Sequence, residues 1–178
     1  MALSPDVVLP NGIVIRSART RDVRGIRSLI DLYTAEGRLL SKATVTLFED
    51  VQEFMVAVRD EEVVACGALH VMWEDLAEIR TLAVHPDLRH SGVGGTLLEL
   101  LIDRARALGV TRLFCLTFET EFFARHGFEA IDGAPVDVSV YEQLLQSYDE
   151  GVAEMLGLER VKPNTLGNTR MLRLLASK

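Results

Sequence analysis

A glycine-containing loop between a predicted strand and a long amphipathic segment constrains this chain more than any other feature. Residues 77–84, AEIRTLAV, predict a strand, and residues 85–95, HPDLRHSGVGG, predict a loop. Glycines let a backbone approach a ligand, and the N–H groups that begin a helix attract anions. The pattern therefore predicts either a phosphate site, with Arg89 as its cation, or an ordinary strand-to-helix turn. The helix that follows has one apolar face and a predicted end at Gly109; that face is formed by Val93, Leu97, Leu98, Leu101, Ile102, Ala105 and Leu108.

The spacing within this loop argues against the common nucleotide-binding motifs. It is not Gly-x-Gly-x-x-Gly, and it follows several predicted strands, which disfavours a dinucleotide-binding fold. It also lacks the Gly-Lys-Ser/Thr ending of a P-loop. The net charge of −7 disfavours nucleic acid as a partner, because a phosphate backbone would be repelled on average. A small anion remains compatible with the loop.

Strand and helix patterns alternate along most of the 178 residues. We expect an α/β or α+β protein with one mixed sheet, in which residues 1–12 are a loose lead and residues 13–178 form one domain. Residues 137–156 are helical in pattern but polar, which fits a cover on the sheet, a homodimer surface or a solvated helix. The predicted strands cover residues 13–19, 54–59, 63–72, 77–84, 111–118, 128–131 and 171–175. The first predicted helix is capped by Thr20 or Asp22, the long amphipathic helix follows the loop at residues 85–95, and two short helices cover residues 46–52 and 120–126.

Several other classes of protein are disfavoured. The apolar runs fall short of the roughly 18–20 residues of a membrane span, and the first residues lack a signal-peptide pattern, so we expect a cytoplasmic protein without a membrane partner. Cys66 and Cys115 stand in apolar runs without a Cys-x-x-Cys spacing, which predicts buried thiols. No metal site is expected, because His85, His90 and His126 have no second ligand at helical or turn spacing.

Two motifs resemble the signatures of one enzyme family. Arg89-x-x-Gly92-x-Gly94 follows a segment that ends TLAVHP, and residues 122–129 read FFARHGFE. Both resemble the GNAT superfamily of N-acetyltransferases, and the predicted elements from about residue 13 to 131 fall in the order of that family. The resemblance implies acetyl-CoA as co-substrate and a mixed, mostly antiparallel central sheet of about seven strands flanked by helices.

A narrower resemblance rests on further segments. The stretches RSAR, GRLLSK, FMV, AEI and LFCLT, together with residues 162–172, are similar to short, free-standing N-acetylglutamate synthases. This resemblance implies transfer of acetyl to the α-amine of L-glutamate, the first step of arginine biosynthesis. The tail departs from the longer synthases near Gly167 and Asn168, where those enzymes carry a basic residue, so L-glutamine is also an expected acceptor.

The family resemblance also implies where the coenzyme binds. Phe123 would pack against it, at a position where the family often has a tyrosine that protonates the leaving thiolate. Phenylalanine has no proton to give, so departure of the thiolate would need only water. The resemblance implies that the pyrophosphate binds to the loop and that the pantetheine arm runs beside the preceding strand. The residues expected to contact the coenzyme are Leu82, Ala83, Val84, Arg89, His90, Ser91, Gly92, Val93, Gly94 and Gly95.

Glu78 is the expected general base, because many family members place a glutamate at this position of the strand. The backbone N–H near Leu82 is the expected donor to the oxyanion. The alternatives remain that Glu78 simply pairs with Arg80 and that the basic residues are ordinary surface charges. An amino-acid substrate needs cations or polar donors for its carboxylates, and the residues expected there are Lys42, Arg80, Thr117, Asn168, Thr169 and Arg170.

Two other functions fit the same residues. The fold is compatible with another acceptor, either a different small amine or a protein N-terminus. A non-catalytic acyl-CoA sensor would keep the loop at residues 89–94 and need neither a base nor an amine site. Turnover of acetyl-CoA with an added amine separates the sensor from both enzymes.

Overall fold

A mixed sheet runs through the part of the chain that the computed structural model describes, which is residues 5–39, 41–158 and 167–176. The sheet has eight strands in the order β1-β2-β3-β4-β5-β6-β8-β7. Neighbouring strands are antiparallel except β5 and β6, which run parallel. The expected mixed, mostly antiparallel sheet is confirmed, with eight strands instead of about seven. The strands are β1 (Val7–Val8), β2 (Val14–Ser17), β3 (Phe54–Arg59), β4 (Glu62–Val71), β5 (Leu76–Val84), β6 (Arg112–Thr117), β7 (Glu129–Ala130) and β8 (Thr169–Leu174).

Helices cover both faces of the sheet. The side chains of each strand alternate between these faces, so one strand contributes to two separate cores. Along β3, Met55 and Ala57 join the core that contains the third helix, whereas Phe54 and Val56 join the core that contains the first. The helices are α1 (Val23–Ala35), α2 (Thr44–Glu49), α3 (Val93–Ala107), α4 (Thr120–Arg125), α5 (Val138–Leu144) and α6 (Glu150–Leu156).

Residues 137–156 form a cover on the sheet, which was one of the three readings of their pattern. They fold as the two short helices α5 and α6, and Val152 packs with Leu76 and Phe114 of the sheet. A break separates the two helices, and α6 begins where the carboxylate of Asp149 accepts a hydrogen bond of 2.8 Å from the backbone N–H of Val152. This break brings a carboxylate to the sheet.

The strand β5 separates from β6 halfway along its length. The paired residues end at Glu78, which lies opposite Phe114. On its other edge, β5 has a bulge at which Thr81 and Leu82 together face Gly67 of β4, and the φ of Thr81 is 56°. The second half of β5 therefore offers an edge that β6 does not cover, with a backbone that the bulge has turned.

Two elements differ from the sequence expectations. Val7 pairs with Ile15, so residues 7–8 of the expected lead add a short strand to the edge of the sheet. The second helix is α2 at Thr44–Glu49, and a separate 3₁₀ turn follows at Val51–Glu53. Within the described ranges, none of the helices combines the length and the apolar character needed to cross a membrane.

Candidate active site

The glycine-containing loop lies beside the uncovered edge of β5. His90 and Gly92 have φ angles of 63° and 87°, which turn the chain into α3. A Cβ atom on Gly94 would lie 3.1 Å from Cγ2 of Val84, so glycine permits the close approach of α3 to β5. The N–H groups of Gly92, Gly94 and Gly95 donate no hydrogen bond to any described residue. The start of α3 is therefore suited to bind an anion.

The serine of the loop has a local role. The N–H of Ser91 donates to the carbonyl of Leu88 at 3.2 Å, and its hydroxyl donates to the same carbonyl at 2.5 Å. The hydroxyl also accepts a long hydrogen bond of 3.4 Å from the N–H of Val93. Ser91 and Val93 thus hold the turn in shape, and the donors that remain for a ligand come mainly from the glycines.

Arg89 adds an exposed cation beside this loop. Its guanidinium lies 5.6 Å from the ring centre of Tyr33 on α1, and Nη2 donates to the Tyr33 hydroxyl at 3.4 Å. That hydroxyl in turn donates to the carbonyl of Val84. The hydrogen bond to Tyr33 raises the pKa of Arg89. A permanent positive charge therefore stands near the end of β5, close to the donors of the loop.

Phe123 is placed differently from the expectation. It is only 5% exposed, and its ring packs against Phe122 and Phe128 with centres 5.2 Å apart. Its partly exposed neighbour Phe122 lies against α3 instead, 3.8 Å from where a Cβ on Gly94 would be. Sequence alone could not choose between two adjacent phenylalanines, because tertiary packing decides which face of a six-residue helix is buried.

A cleft opens beside Glu78, on the side of the sheet that α6 covers. It brings together four of the residues expected from the sequence, namely Glu78, Arg80, Lys42 and Asn168. The cleft lies next to the uncovered edge of β5, since Thr81 also lines it. The other lining residues are Arg38, Leu39, Leu116, Phe118, Glu150, Gly151 and Glu154.

The most buried charges of the cleft form a chain of ion pairs. Nε and Nη2 of Arg80 donate to Oε2 of Glu78 at 2.9 and 2.6 Å. Nη1 and Nη2 of Arg80 donate to the two carboxylate oxygens of Asp149 at 2.8 and 2.9 Å. The pairing of Glu78 with Arg80, left open by the sequence, is therefore present, and Arg80 is committed to two carboxylates.

These contacts control the ionisation of the partners. Burial alone would lower the pKa of Arg80, but the charge of Glu78 and the hydrogen bond to Asp149 outweigh it and raise that pKa. Burial would raise the pKa of Asp149, but its hydrogen bonds and attraction to Arg80 outweigh this effect and hold the pKa well below its usual range. Arg80 and Asp149 are therefore both charged at neutral pH.

Three other expected substrate residues lie away from the cleft wall. Thr117 accepts a hydrogen bond of 2.8 Å from the N–H of Glu119, and Thr169 lies opposite Thr117 in β8. Arg170 donates to the carbonyl groups of Glu154 and Met155, at 3.2 and 3.1 Å, where α6 ends. These contacts stabilise the fold around the cleft. The tail residues 159–166, which contributed to the narrower resemblance, lie outside the described residues.

The structure adds site residues that the sequence did not reveal. Asp149 contacts Arg80 from a segment 69 residues later in the chain. Arg38 lines the cleft and pairs with Glu119. His70 lies opposite Glu78 on β4, and its Nδ1 is 2.7 Å from Oε1 of Glu53. No sequence spacing marks these contacts, because each depends on which strands are neighbours.

Other reactive groups take no part in this arrangement. Burial raises the pKa of Cys66 to about 12, and it also raises the pKa of Cys115. Both thiols are therefore protonated at neutral pH and unreactive. The described part of the chain contains no group of three or more His, Cys, Asp or Glu side chains arranged to hold a metal ion.

Comparisons of sequence agree with this geometry. Residues 25–128 match the model of the acetyltransferase (GNAT) family. An amino-acid acetyltransferase of Mycobacterium tuberculosis is 53% identical over 165 residues, which cover 91% of this chain and 94% of that protein. An amino-acid acetyltransferase of Pseudomonas syringae is 36% identical over 126 residues, which cover 68% of this chain but only 29% of that protein.

Comparisons of structure point the same way. A Mycobacterium tuberculosis protein crystallised in complex with CoA and NLQ has a TM-score of 0.86 and 53% identity, over 91% of this chain and 99% of that one. N-acetylglutamate synthase from Neisseria gonorrhoeae, complexed with coenzyme A and N-acetyl-glutamate, has a TM-score of 0.73 and 28% identity. That match covers 93% of this chain and 35% of the longer synthase.

Proposed function

This chain belongs to the GNAT family and is an acetyl-CoA-dependent amino-acid N-acetyltransferase, and we propose that its acceptor is the α-amine of L-glutamate, with L-glutamine as a second acceptor. The product would be N-acetylglutamate, the first intermediate of arginine biosynthesis. The observation that carries this proposal is the cleft beside the uncovered edge of β5, where the buried carboxylate of Glu78 shares the wall with the basic side chains of Lys42 and Arg80. The non-catalytic sensor considered from the sequence does not agree with this enzyme family.

The residues around the loop fit acetyl-CoA, which supplies the acetyl group as a reactive thioester. The glycine N–H groups at the start of α3, together with Arg89, would hold the pyrophosphate. The edge of β5 at Leu82, Ala83 and Val84 would lie along the pantetheine arm, since β6 leaves that edge uncovered. Phe122, which lies against the start of α3, would contact the coenzyme in place of the buried Phe123.

Glu78 would accept the proton that the α-amine must lose. Its Oε2 is occupied by Arg80, whereas Oε1 receives no hydrogen bond from the described residues. A side chain in this position can accept a proton directly or through one water. The bulge at Thr81 and Leu82 interrupts the pairing of β5 with β4, and the backbone N–H near Leu82 would be the donor to the oxyanion.

The acceptor would be held by the polar wall of the cleft. The ammonium of Lys42 makes no ion pair with any described residue, which leaves it able to bind a carboxylate. Arg38 lies on the same wall but already pairs with Glu119. The net positive charge that Lys42 and Arg38 present would decide whether the site prefers the side-chain carboxylate of glutamate or the side-chain amide of glutamine. The N-acetyl-glutamate bound to the Neisseria synthase supports an acceptor of this size and charge.

The proposal is tested by turnover of acetyl-CoA with a panel of amino acids, measured as thiol release above the rate without acceptor. We expect L-glutamate and L-glutamine to be acetylated faster than the aliphatic, aromatic and basic amino acids. Faster turnover of an amino acid without a side-chain carboxylate or amide would overturn the proposed acceptor.

Replacement of Glu78 by Gln tests the proposed base. We expect the Glu78→Gln variant to lose about 100-fold or more in kcat and to lose the acidic limb of the pH–rate profile. Glu62→Gln, an exposed glutamate at the start of β4, serves as the matched control and should behave as the unmodified protein. An unchanged rate and profile for Glu78→Gln would remove this residue from the mechanism.

A further inference from the structure

We propose that Asp149 is a positioning residue for acetyl transfer: acting through Arg80, it holds Glu78 with one carboxylate oxygen directed to the cleft. The inference rests on the proposed role of Glu78 as the base. It assigns a function to the segment between α5 and α6, where the sequence contains no motif that indicates a role in the reaction.

The guanidinium of Arg80 joins the two carboxylates rigidly. Two of its nitrogens donate to the same oxygen of Glu78, and two donate to the separate oxygens of Asp149. Because Oε2 receives both donors from Arg80, the Glu78 carboxylate has one rotational setting, in which Oε1 remains for the substrate. The planar guanidinium transmits this geometry, since the position of one partner fixes the plane offered to the other.

Asp149 is itself held by α6. One of its oxygens accepts the N–H of Val152 and thereby caps the helix. The N–H of Asp149 donates to Oγ of Ser147 at 3.1 Å. Its side chain is 20% exposed, whereas those of Arg80 and Glu78 are each 6% exposed. The position of Arg80 is thus set by a helix terminus that packs on the sheet.

The neighbouring glycine is part of the same arrangement. A Cβ atom on Gly151 would come within 2.7 Å of Nη2 of Arg80 and 3.0 Å of Oε2 of Glu78. The first turn of α6 therefore lies directly against the ion pair, and only the lack of a side chain permits this contact.

Asp149 also affects the charge that Glu78 experiences. It shares Arg80 with Glu78, so its removal would leave the charge of Arg80 to act on Glu78 alone. His70 faces the same group from β4, with Nε2 3.8 Å from Asp149. The other titratable or charged side chains near this ion pair and along the cleft are Arg38, Lys42, Asp50, Glu53, Cys115, Glu150 and Glu154.

The test is Asp149→Asn, because asparagine can still cap α6 but carries no charge. Asp137→Asn is the matched control: Asp137 caps α5 through the N–H of Val140 at 3.0 Å and has no contact with the cleft. We expect Asp149→Asn to lower kcat about tenfold, to leave the KM for acetyl-CoA unchanged and to move the acidic limb of the pH–kcat profile to lower pH. Asp137→Asn should leave all three unchanged.

A second variant of Asp149, together with the Glu78→Gln enzyme, distinguishes failure of the positioning role from failure of the proposed base. Asp149→Ser also retains a capping oxygen and should reproduce the effect of Asp149→Asn, with thermal unfolding measured for each protein. If Glu78→Gln loses activity but both Asp149 variants keep the rate and pH profile of the unmodified protein, the positioning role is wrong and the proposed base stands. If Glu78→Gln retains full activity, the proposed base fails and the positioning role fails with it.

Discussion

The missing side chain at position 151 is as important to the site as the charges around it. In Gly151→Ala, the new methyl group would press on the guanidinium of Arg80, which is fixed by Glu78 and Asp149 and cannot move away freely. We expect kcat to fall about tenfold, because the proposed base is displaced. The free energy of unfolding should change less, because alanine favours the helix by about 1 kcal/mol over glycine and this gain offsets part of the strain. Steady-state kinetics and urea unfolding of the same preparation measure both effects.

An alanine at an exposed helix position away from the ion pair separates this effect from a general one. Glu142→Ala lies on α5 and should leave kcat unchanged. A Gly151→Ala enzyme with full activity would show that the ion pair tolerates displacement.

Arg89 offers a second test at the residue scale. Its guanidinium is exposed and lies beside the loop, so its loss should weaken binding of the coenzyme phosphates without changing the chemical step. We expect Arg89→Ala to raise the KM for acetyl-CoA about fivefold, with kcat nearly constant and a weaker dependence of KM on salt. Arg24→Ala, which removes an exposed cation of α1, should change neither constant. An equal rise of KM in both variants would mean that general charge, and not this position, attracts the coenzyme.

Part of the site could be predicted from single residues, and part could not. Glu78 is expected from the family resemblance and Arg80 from its position on the same strand, and both line the cleft. The role expected for Arg80 changed, since a guanidinium bound to two carboxylates is committed before a substrate arrives. Asp149 could not be found in this way, because its contact with Arg80 depends on the break between α5 and α6.

At the scale of elements, the start of α1 is fixed by a buried ion pair. Arg16 donates to both oxygens of Asp22 at 2.7 and 3.0 Å, and the N–H of Arg19 donates to the same carboxylate at 2.7 Å. Burial would raise the pKa of Asp22, but the hydrogen bonds from Arg16 and Arg19 outweigh it, and the pKa is lowered from its ordinary value of 3.8. This pair therefore stabilises the fold above about pH 3.8, and the contribution is lost as the pH falls below that value.

Asp22→Asn tests this contribution. The free energy of unfolding of this variant at pH 7 should be about 3 kcal/mol lower than that of the unmodified protein, because Arg16 remains buried without its partner. The difference from the unmodified protein should shrink as the pH is lowered from 5 to about 3, measured by urea unfolding at each pH. Asp31→Asn, an exposed residue of α1, should change the free energy by less than about 0.5 kcal/mol. A constant difference across this pH range would contradict the assignment.

The long elements were predictable and their neighbours were not. The apolar face of α3 repeats along the whole helix, and the short apolar run of β3 is rich in residues that favour strands, so both patterns indicate the type of element. The strand order, the bulge at Thr81 and the short β1 depend on pairing between distant segments, which a local pattern does not contain. For residues 137–156, the polar pattern predicted one helical stretch, while the cap at Asp149 divides it in two.

At the scale of the whole molecule, the uncovered edge of β5 separates two binding surfaces. The loop that begins α3 lies on one side and the cleft with Lys42, Glu78 and Arg80 lies on the other. If the proposed sites are correct, the coenzyme phosphates and the amino acid would bind at the two ends of one short stretch of backbone. The net charge of −7 does not describe either surface, because each presents its own cations.

The most direct test of the central claim is to identify the nitrogen that receives the acetyl group. Uniformly ¹⁵N-labelled L-glutamate and L-glutamine, each incubated with acetyl-CoA and the protein, would be followed by ¹H–¹⁵N NMR. We predict a new amide signal from the α-nitrogen of either amino acid, no change at the side-chain amide of glutamine, and no signal with Glu78→Gln over the same period. The account would be contradicted if the protein acetylated another amine but formed no acetylated product from either L-glutamate or L-glutamine.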